Sequence, residues 1–202
     1  MKIKTLAMGS IGTNCYVVSD DIGNAAIIDC DGDPMPLFFY ISENNLNPTH
    51  ILLTHGHYDH IGAVEKVKEQ YDCTVVAGKD EIRVLTDPAV NCSIYSGIPI
   101  TVLPDVLVSD GDTVTVGNME FQILFTPGHT EGSLCYFIED NIFSGDTLFQ
   151  GSCGRTDLPT GDWSAILRSL KMLKDLPGDY TVFPGHGPST TLGIERSSNP
   201  FM

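Results

Sequence analysis

Basic residues are scarce in this chain. It has 202 residues, with 11 Lys and Arg against 26 Asp and Glu, for a formal charge of −15. Phosphate backbones are bound by basic surface, so no nucleic-acid partner is expected. Long apolar runs are also missing. No stretch approaches the roughly 18 apolar residues of a membrane helix, so no membrane span is expected. The opening Met1-Lys2-Ile3-Lys4-Thr5-Leu6 lacks the apolar core of a secretory signal. No CxxC pair occurs among Cys15, Cys30, Cys73, Cys92, Cys135 and Cys153. Without a secretory signal, reduced thiols in a cytoplasmic protein are expected, most of them filling core positions. What remains is the composition of a packed protein, 42% hydrophobic and 18% charged. That excludes a disordered chain, and the length suits one domain over residues 1–202.

Against this background one stretch concentrates metal-capable side chains: Thr54-His55-Gly56-His57-Tyr58-Asp59-His60. The apolar Ile51-Leu52-Leu53 before it predicts a short buried strand. Ile61, Val64 and Val67 after it have the spacing of a helix stripe. The cluster therefore sits where a strand hands over to a helix, a usual place for an active site in an α/β sheet. Imidazole and carboxylate together suit zinc, iron or manganese.

The same pattern recurs downstream. Strands are predicted over 2–8, 14–18, 25–29, 49–53, 74–77, 106–108, 113–116, 119–125, 134–138, 141–144 and 180–183. Helices are predicted over 34–45, 60–70, 79–85 and from Asp162, which caps a stripe of Trp163, Ile166, Leu167, Leu170 and Leu173. Residues 86–100 read as irregular, and the tail as holding one helical turn near 193–196. His129 falls in Thr126-Pro127-Gly128-His129-Thr130, Asp146 in Ser144-Gly145-Asp146, and His186 in Pro184-Gly185-His186-Gly187, each just past a strand. The alternation suggests two similar layers face to face. His50 lies inside its strand and is set aside. Asp29, at another strand end, is either a group behind the ligands that orients a histidine, a role Thr54 would share, or a loop carboxylate ahead of Pro34. Asp31 and Asp33 read as loop carboxylates.

The candidate metal ligands are thus His55, His57, Asp59, His60, His129, Asp146 and His186. Seven exceed one tetrahedral zinc and suit two ions about 3.5–4 Å apart. His55 and His57 alternate along an extended segment and can share an ion with His129. Asp59 and His60 start the helix and can share a second with His186, leaving Asp146 as the bridge. Asp59 and Asp146 are the candidate catalytic carboxylates, with a water between two dications as nucleophile.

Together, His55-x-His57-x-Asp59-His60, His129, Asp146 and His186 resemble the metallo-β-lactamase superfamily over essentially the whole chain. The resemblance implies an α/β fold, a four-layer αββα sandwich with the site at one edge of two sheets. Within the superfamily, Thr126-Pro127-Gly128-His129-Thr130, Phe143-Ser144-Gly145-Asp146 and Gly154-Arg155-Thr156-Asp157 most resemble glyoxalase II, the hydroxyacylglutathione hydrolases. The larger of those enzymes add a helical C-terminal domain with basic residues for glutathione, so the likeness is to the short single-domain type.

The resemblance implies a hydrolase with two divalent ions, zinc first and iron or manganese as alternatives, acting on a small-molecule thioester such as S-lactoylglutathione. Arg155 and Tyr95 are the candidate substrate contacts, with Lys79 and Arg83 as further basic candidates. Arg155 has a second reading as a structural partner of Asp157. Two other activities fit the motif. One is a persulfide dioxygenase with a single iron on His55, His129 and Asp146; the other is a lactonase or other ester hydrolase. Asp59, where some β-lactamases have cysteine, speaks against antibiotic hydrolysis as the main activity. Monomer and homodimer stay equally open.

Overall fold

A computed structural model describes residues 1–202. Two six-stranded sheets face each other. The first runs in chain order from β1 (Lys2–Met8) through β2 (Thr13–Ser19), β3 (Asn24–Ile28), β4 (Asn47–Leu52) and β5 (Thr74–Gly78) to β6 (Val106–Val108). Its first three strands are antiparallel and its last four pair in parallel. The second sheet is built from β7 (Thr113–Val116), β8 (Met119–Phe125), β9 (Leu134–Ile138) and β10 (Asn141–Gly145). A small ribbon of β11 (Leu148–Phe149) and β12 (Ser152–Cys153) follows, then β13 (Thr181–Pro184) and β14 (Thr190–Thr191) complete the sheet. Its spatial order is β14-β13-β10-β9-β8-β7.

Strand side chains alternate between faces, and here both faces are covered. In β3, Ile27 packs outward against Leu37 and Ile41 of α1 (Met35–Glu43). Ala26 and Ile28 point the other way, into the space between the sheets, with Phe121, Tyr136 and Phe143. On the far side of the second sheet, Cys135, Ile142 and Val182 meet Ile166, Leu170 and Leu173 of α6 (Trp163–Asp175). Three apolar clusters separated by two sheets make the expected four layers. The Asp162 carboxylate caps α6 by accepting from Ala165 N at 2.8 Å.

Helical structure differs in detail from expectation at four places. The helix expected over 60–70 is two, α2 (Tyr58–Ile61) and α3 (Val64–Tyr71). The ladder breaks because Ala63 N donates to Cys30 O at 3.1 Å. The helix over 79–85 starts as a tight 3₁₀ turn (Lys79–Glu81) before α4 (Ile82–Thr86). Residues 86–100 contain a short helix, α5 (Ser93–Ser96), whose Ser93 N is held by Asn91 Oδ1. The tail forms α7 (Leu192–Ser198), begun by Thr191 accepting from Ile194 N. The ribbon and β14 span two residues each, too few for a periodic signal. No helix is long and apolar enough to cross a membrane. Five cysteines are buried, Cys153 is half-buried, and none is paired.

Phe143 fills the space between the sheets, with Tyr16 edge-on at 5.1 Å and Phe183 stacked at 5.2 Å. Phe143→Ala is expected to cost about 3–5 kcal/mol by chemical denaturation. A loss under about 1 kcal/mol would contradict close packing there.

Candidate metal centre

Each candidate ligand lies just beyond a strand. After β4 the chain stays extended through His57, at φ −63° and ψ 148°, so His55 and His57 project from one extended segment. Tyr58 begins α2, which carries Asp59 and His60. His129 follows β8, Asp146 follows β10 and His186 follows β13. The turns allow little substitution. Gly145 sits at φ +48°, and a Cβ on Gly185 would strike His60 and Asp146.

These side chains converge in two groups. Ligand-capable atoms of His55, His57 and His129 lie within 4.8 Å of one another, and so do those of Asp59, His60 and His186. Asp146 lies between them, with Oδ1 3.4 Å from His60 Nε2 and Oδ2 3.5 Å from His129 Nε2 and 3.7 Å from His186 Nε2. All seven expected ligands are therefore in one place. His50 is elsewhere, hydrogen-bonded to Thr49.

The neighbours behind the ligands decide which nitrogens face inward. Asp29 Oδ2 accepts from Thr54 Oγ1 at 2.7 Å and pairs with His60 Nδ1 at 2.8 Å. With its hydroxyl proton so used, Thr54 Oγ1 accepts from His55 Nδ1 at 3.1 Å. His129 Nδ1 donates to Arg155 O at 2.7 Å. Each contact puts the ring proton on Nδ1 and leaves the Nε2 lone pair aimed inward. Asp29 thus orients histidines, as one of its two readings held, and Thr54 shares the role.

Three buried polar atoms here have no hydrogen-bond partner: His55 Nε2, His57 Nε2 and Asp146 Oδ1. Buried polar atoms are nearly always partnered. The bare His55 Nε2 and Asp146 Oδ1, together with His57 Nδ1, which faces His129 Nε2 at 2.8 Å, are a donor set for a divalent transition metal, and these residues fit such an ion.

Electrostatics divide the site. Burial, then the neighbouring imidazoles, holds His55 well below its ordinary pKa, and burial with His129 brings His57 down to about 3. Both are neutral imidazoles at working pH, ready to ligate. At His60, burial acts downward, but Asp59, Asp146 and Asp29 outweigh it and raise the pKa well above its ordinary value. Burial acts upward on Asp59, yet His60 and His186 hold it well below the usual carboxylate range. This half of the site is built to hold positive charge.

Several supports carried no sequence signal. Thr13 Oγ1 donates to Asp59 Oδ2 at 3.3 Å. Asn14 Nδ2 donates to the carbonyls of Pro184 and Gly187, and Tyr16 Oη to Pro184 O, so β2 clamps the His186 turn. Glu81 joins two ligand-bearing loops. Its Oε1 accepts from Gly56 N at 2.7 Å, and its Oε2 from Thr130 Oγ1 and Gly132 N at 2.9 Å each. Burial pushes the Glu81 carboxyl up to about 7 against the pull of these donors.

His57, Asp59, His129, Asp146 and His186 form the floor of an open cavity of roughly 780 Å³, with His55 and His60 buried among these ligands. Tyr95 and Arg155 both line it, as expected, while Lys79 and Arg83 do not. Tyr95 is 83% exposed. The Arg155 Nε and a terminal guanidinium nitrogen each donate to Asp157 at 2.7 Å, so the structural pairing is present.

A metal-capable floor at one edge of an αββα sandwich defines a class. The metallo-beta-lactamase superfamily model matches residues 8–186, which include every candidate ligand, and the chain belongs to that superfamily. Hydroxyacylglutathione hydrolase GloC of Haemophilus influenzae is 35% identical over 208 residues, covering 100% of this chain and 98% of the relative. The crystal structure of the BLEG-1 B3 metallo-beta-lactamase is similar at TM-score 0.94 and 41% identity, covering 99% of each chain. That of TTHA1623 in a di-iron-bound form is similar at TM-score 0.88 and 36% identity, covering 98% of this chain and all of that one.

Glu81→Gln tests whether the carboxylate positions the ligand loops. Whichever way the amide turns, its NH₂ faces a backbone N–H. Metal affinity is expected to fall about 10-fold or more with the fold retained, the usual cost of losing an outer partner. Unchanged affinity by competitive chelation would contradict the role.

Proposed function

We propose that this protein is a binuclear metal-dependent hydrolase that cleaves a small-molecule thioester. The observation that carries the reading is the position of Asp146, within 3.7 Å of side chains from both ligand groups. In this reading His55, His57 and His129 hold one ion, Asp59, His60 and His186 the other, and Asp146 both. Two divalent ions so held supply a water activated at neutral pH and a Lewis acid for the scissile carbonyl.

The chain's own residues supply the rest. Asp29 and Thr54 keep the Nδ1 protons of His60 and His55 off the inward face, so no ring turns over during turnover. Against its burial, Asp59 is held well below the usual carboxylate range by His60 and His186 and stays ionised as a ligand, as its place among those imidazoles requires. Apolar walls from Ile11, Tyr95, Phe149, Leu158 and Pro159 give the substrate a surface beside the floor. A thiolate leaves without a proton, which suits a lining whose remaining titratable groups are tyrosines, cysteines and the Arg155–Asp157 pair. The likeness to a hydroxyacylglutathione hydrolase supports the same reading.

Zinc is our first assignment for the metal. The di-iron-bound relative favours iron as an alternative, and with iron the persulfide dioxygenase expectation stays in view, since zinc has no redox chemistry. The relative described as a B3 metallo-beta-lactamase favours hydrolysis of a cyclic amide as a second reading.

The test is hydrolysis of S-lactoyl thioesters by metal-loaded protein, by chelated protein and by Asp146→Ala. Activity is expected only with metal. Asp146→Ala is expected to lose metal and more than about 100-fold in kcat/KM, beyond the cost of an outer partner. Full metal content with a near-normal rate in this variant would contradict the bridging assignment.

A further inference from the structure

We propose that the thiol carrier of the substrate is a compact, uncharged group with apolar surface, not glutathione or a phosphate-bearing thiol. This rests on the thioester reading above and narrows it.

The cavity holds little free positive charge. Of eleven basic residues in the chain, Arg155 alone lines the cavity. Its fork is already matched, two donors on the two oxygens of Asp157. A bidentate Arg–carboxylate pair presents little net charge and few free donors to a third group. Lys79 and Arg83 lie outside the lining. The charge of −15 adds a repulsive field for any approaching anion.

The walls are apolar. Ile11, Tyr95, Phe149, Leu158 and Pro159 line the cavity above the metal-capable floor. Ile11 is 53% exposed and, like Tyr95, offers its apolar surface to solvent. Apolar surface left open in a concave site is satisfied by an apolar ligand face. A glutathione thioester carries carboxylates at both ends of its carrier. Seated here, those groups would shed water without gaining a cationic partner, which is unfavourable. A neutral carrier covers the same walls at no such cost. The cavity size suits a small molecule of either kind, so charge, not volume, discriminates.

The pair itself provides the lever. Asp157→Ala removes the carboxylate that neutralises Arg155. Both side chains are more than half exposed, at 62% and 68%, so the fold should tolerate the change.

The experiment compares S-lactoyl-N-acetylcysteamine, a neutral thioester, with S-lactoylglutathione on metal-loaded protein, in the parent chain and in Asp157→Ala. The acyl group is the same, so the comparison isolates the carrier. The parent is expected to favour the neutral substrate by about tenfold or more in kcat/KM. Asp157→Ala is expected to narrow that ratio by lowering KM for the glutathione thioester, with KM for the neutral one little changed. Equal or better turnover of the glutathione thioester by the parent would overturn the proposal while leaving the hydrolase reading intact. Turnover of neither by metal-loaded protein would overturn the thioester reading and this inference with it.

Discussion

Asp29 sits at the end of β3 in the left-handed region, at φ +51°, and its buried carboxylate accepts three hydrogen bonds. Thr54 N donates to Oδ1; Thr54 Oγ1 and His60 Nδ1 contact Oδ2. This one group stitches the end of β3 to the loop leaving β4 and to the start of α2. Through Thr54 it sets the proton on His55, and directly it sets the proton on His60. One carboxylate therefore fixes a ring in each ligand group. A polar cluster so buried is tolerable only if its members are all partnered. The bare nitrogen of His55 and the bare oxygen of Asp146 would be partnered by cations on the floor.

The sandwich supplies the rigidity this demands. Each ligand-bearing turn leaves a strand whose two faces are packed, so the turn's root cannot move far. The turns are then tied laterally. Thr13, Asn14 and Tyr16 of β2 hold the His186 turn and Asp59 across more than a hundred residues of sequence for the former. Glu81 holds the Gly56 and Gly132 loops together. Fixed placement of this kind holds the candidate ligands in one arrangement without reorganisation.

The ligands were legible in the sequence because their chemistry is local. Three imidazoles and a carboxylate lie between His55 and His60, and each later ligand sits in a short turn after an apolar run. Two facing layers were legible because strands and stripes alternate along the chain, and the four-layer sandwich came from the resemblance to the metallo-β-lactamase superfamily. The supports were not. Thr13, Asn14 and Glu81 act through hydrogen bonds to distant backbone or side chains, and no spacing announces such partners. Asp29 stayed between two readings for the same reason, since its role depends on where Thr54 and His60 arrive. The break between α2 and α3 was hidden because it follows from a long-range bond, Ala63 N to Cys30 O. Arg155 shows the limit most clearly. The sequence offers Arg155 either as a substrate contact or as a partner of Asp157; the fold shows the fork on Asp157, and its carbonyl orienting His129 carried no sequence signal.

The central claim is that one buried floor holds two ions through seven side chains. The most direct measurement is metal content per chain, by elemental mass spectrometry of protein stripped, reloaded with zinc or ferrous iron and desalted. The account requires about two ions per chain, the number a paired centre holds. A single tightly held ion under both loading conditions would contradict it and leave Asp59, His60 and His186 without the role assigned to them.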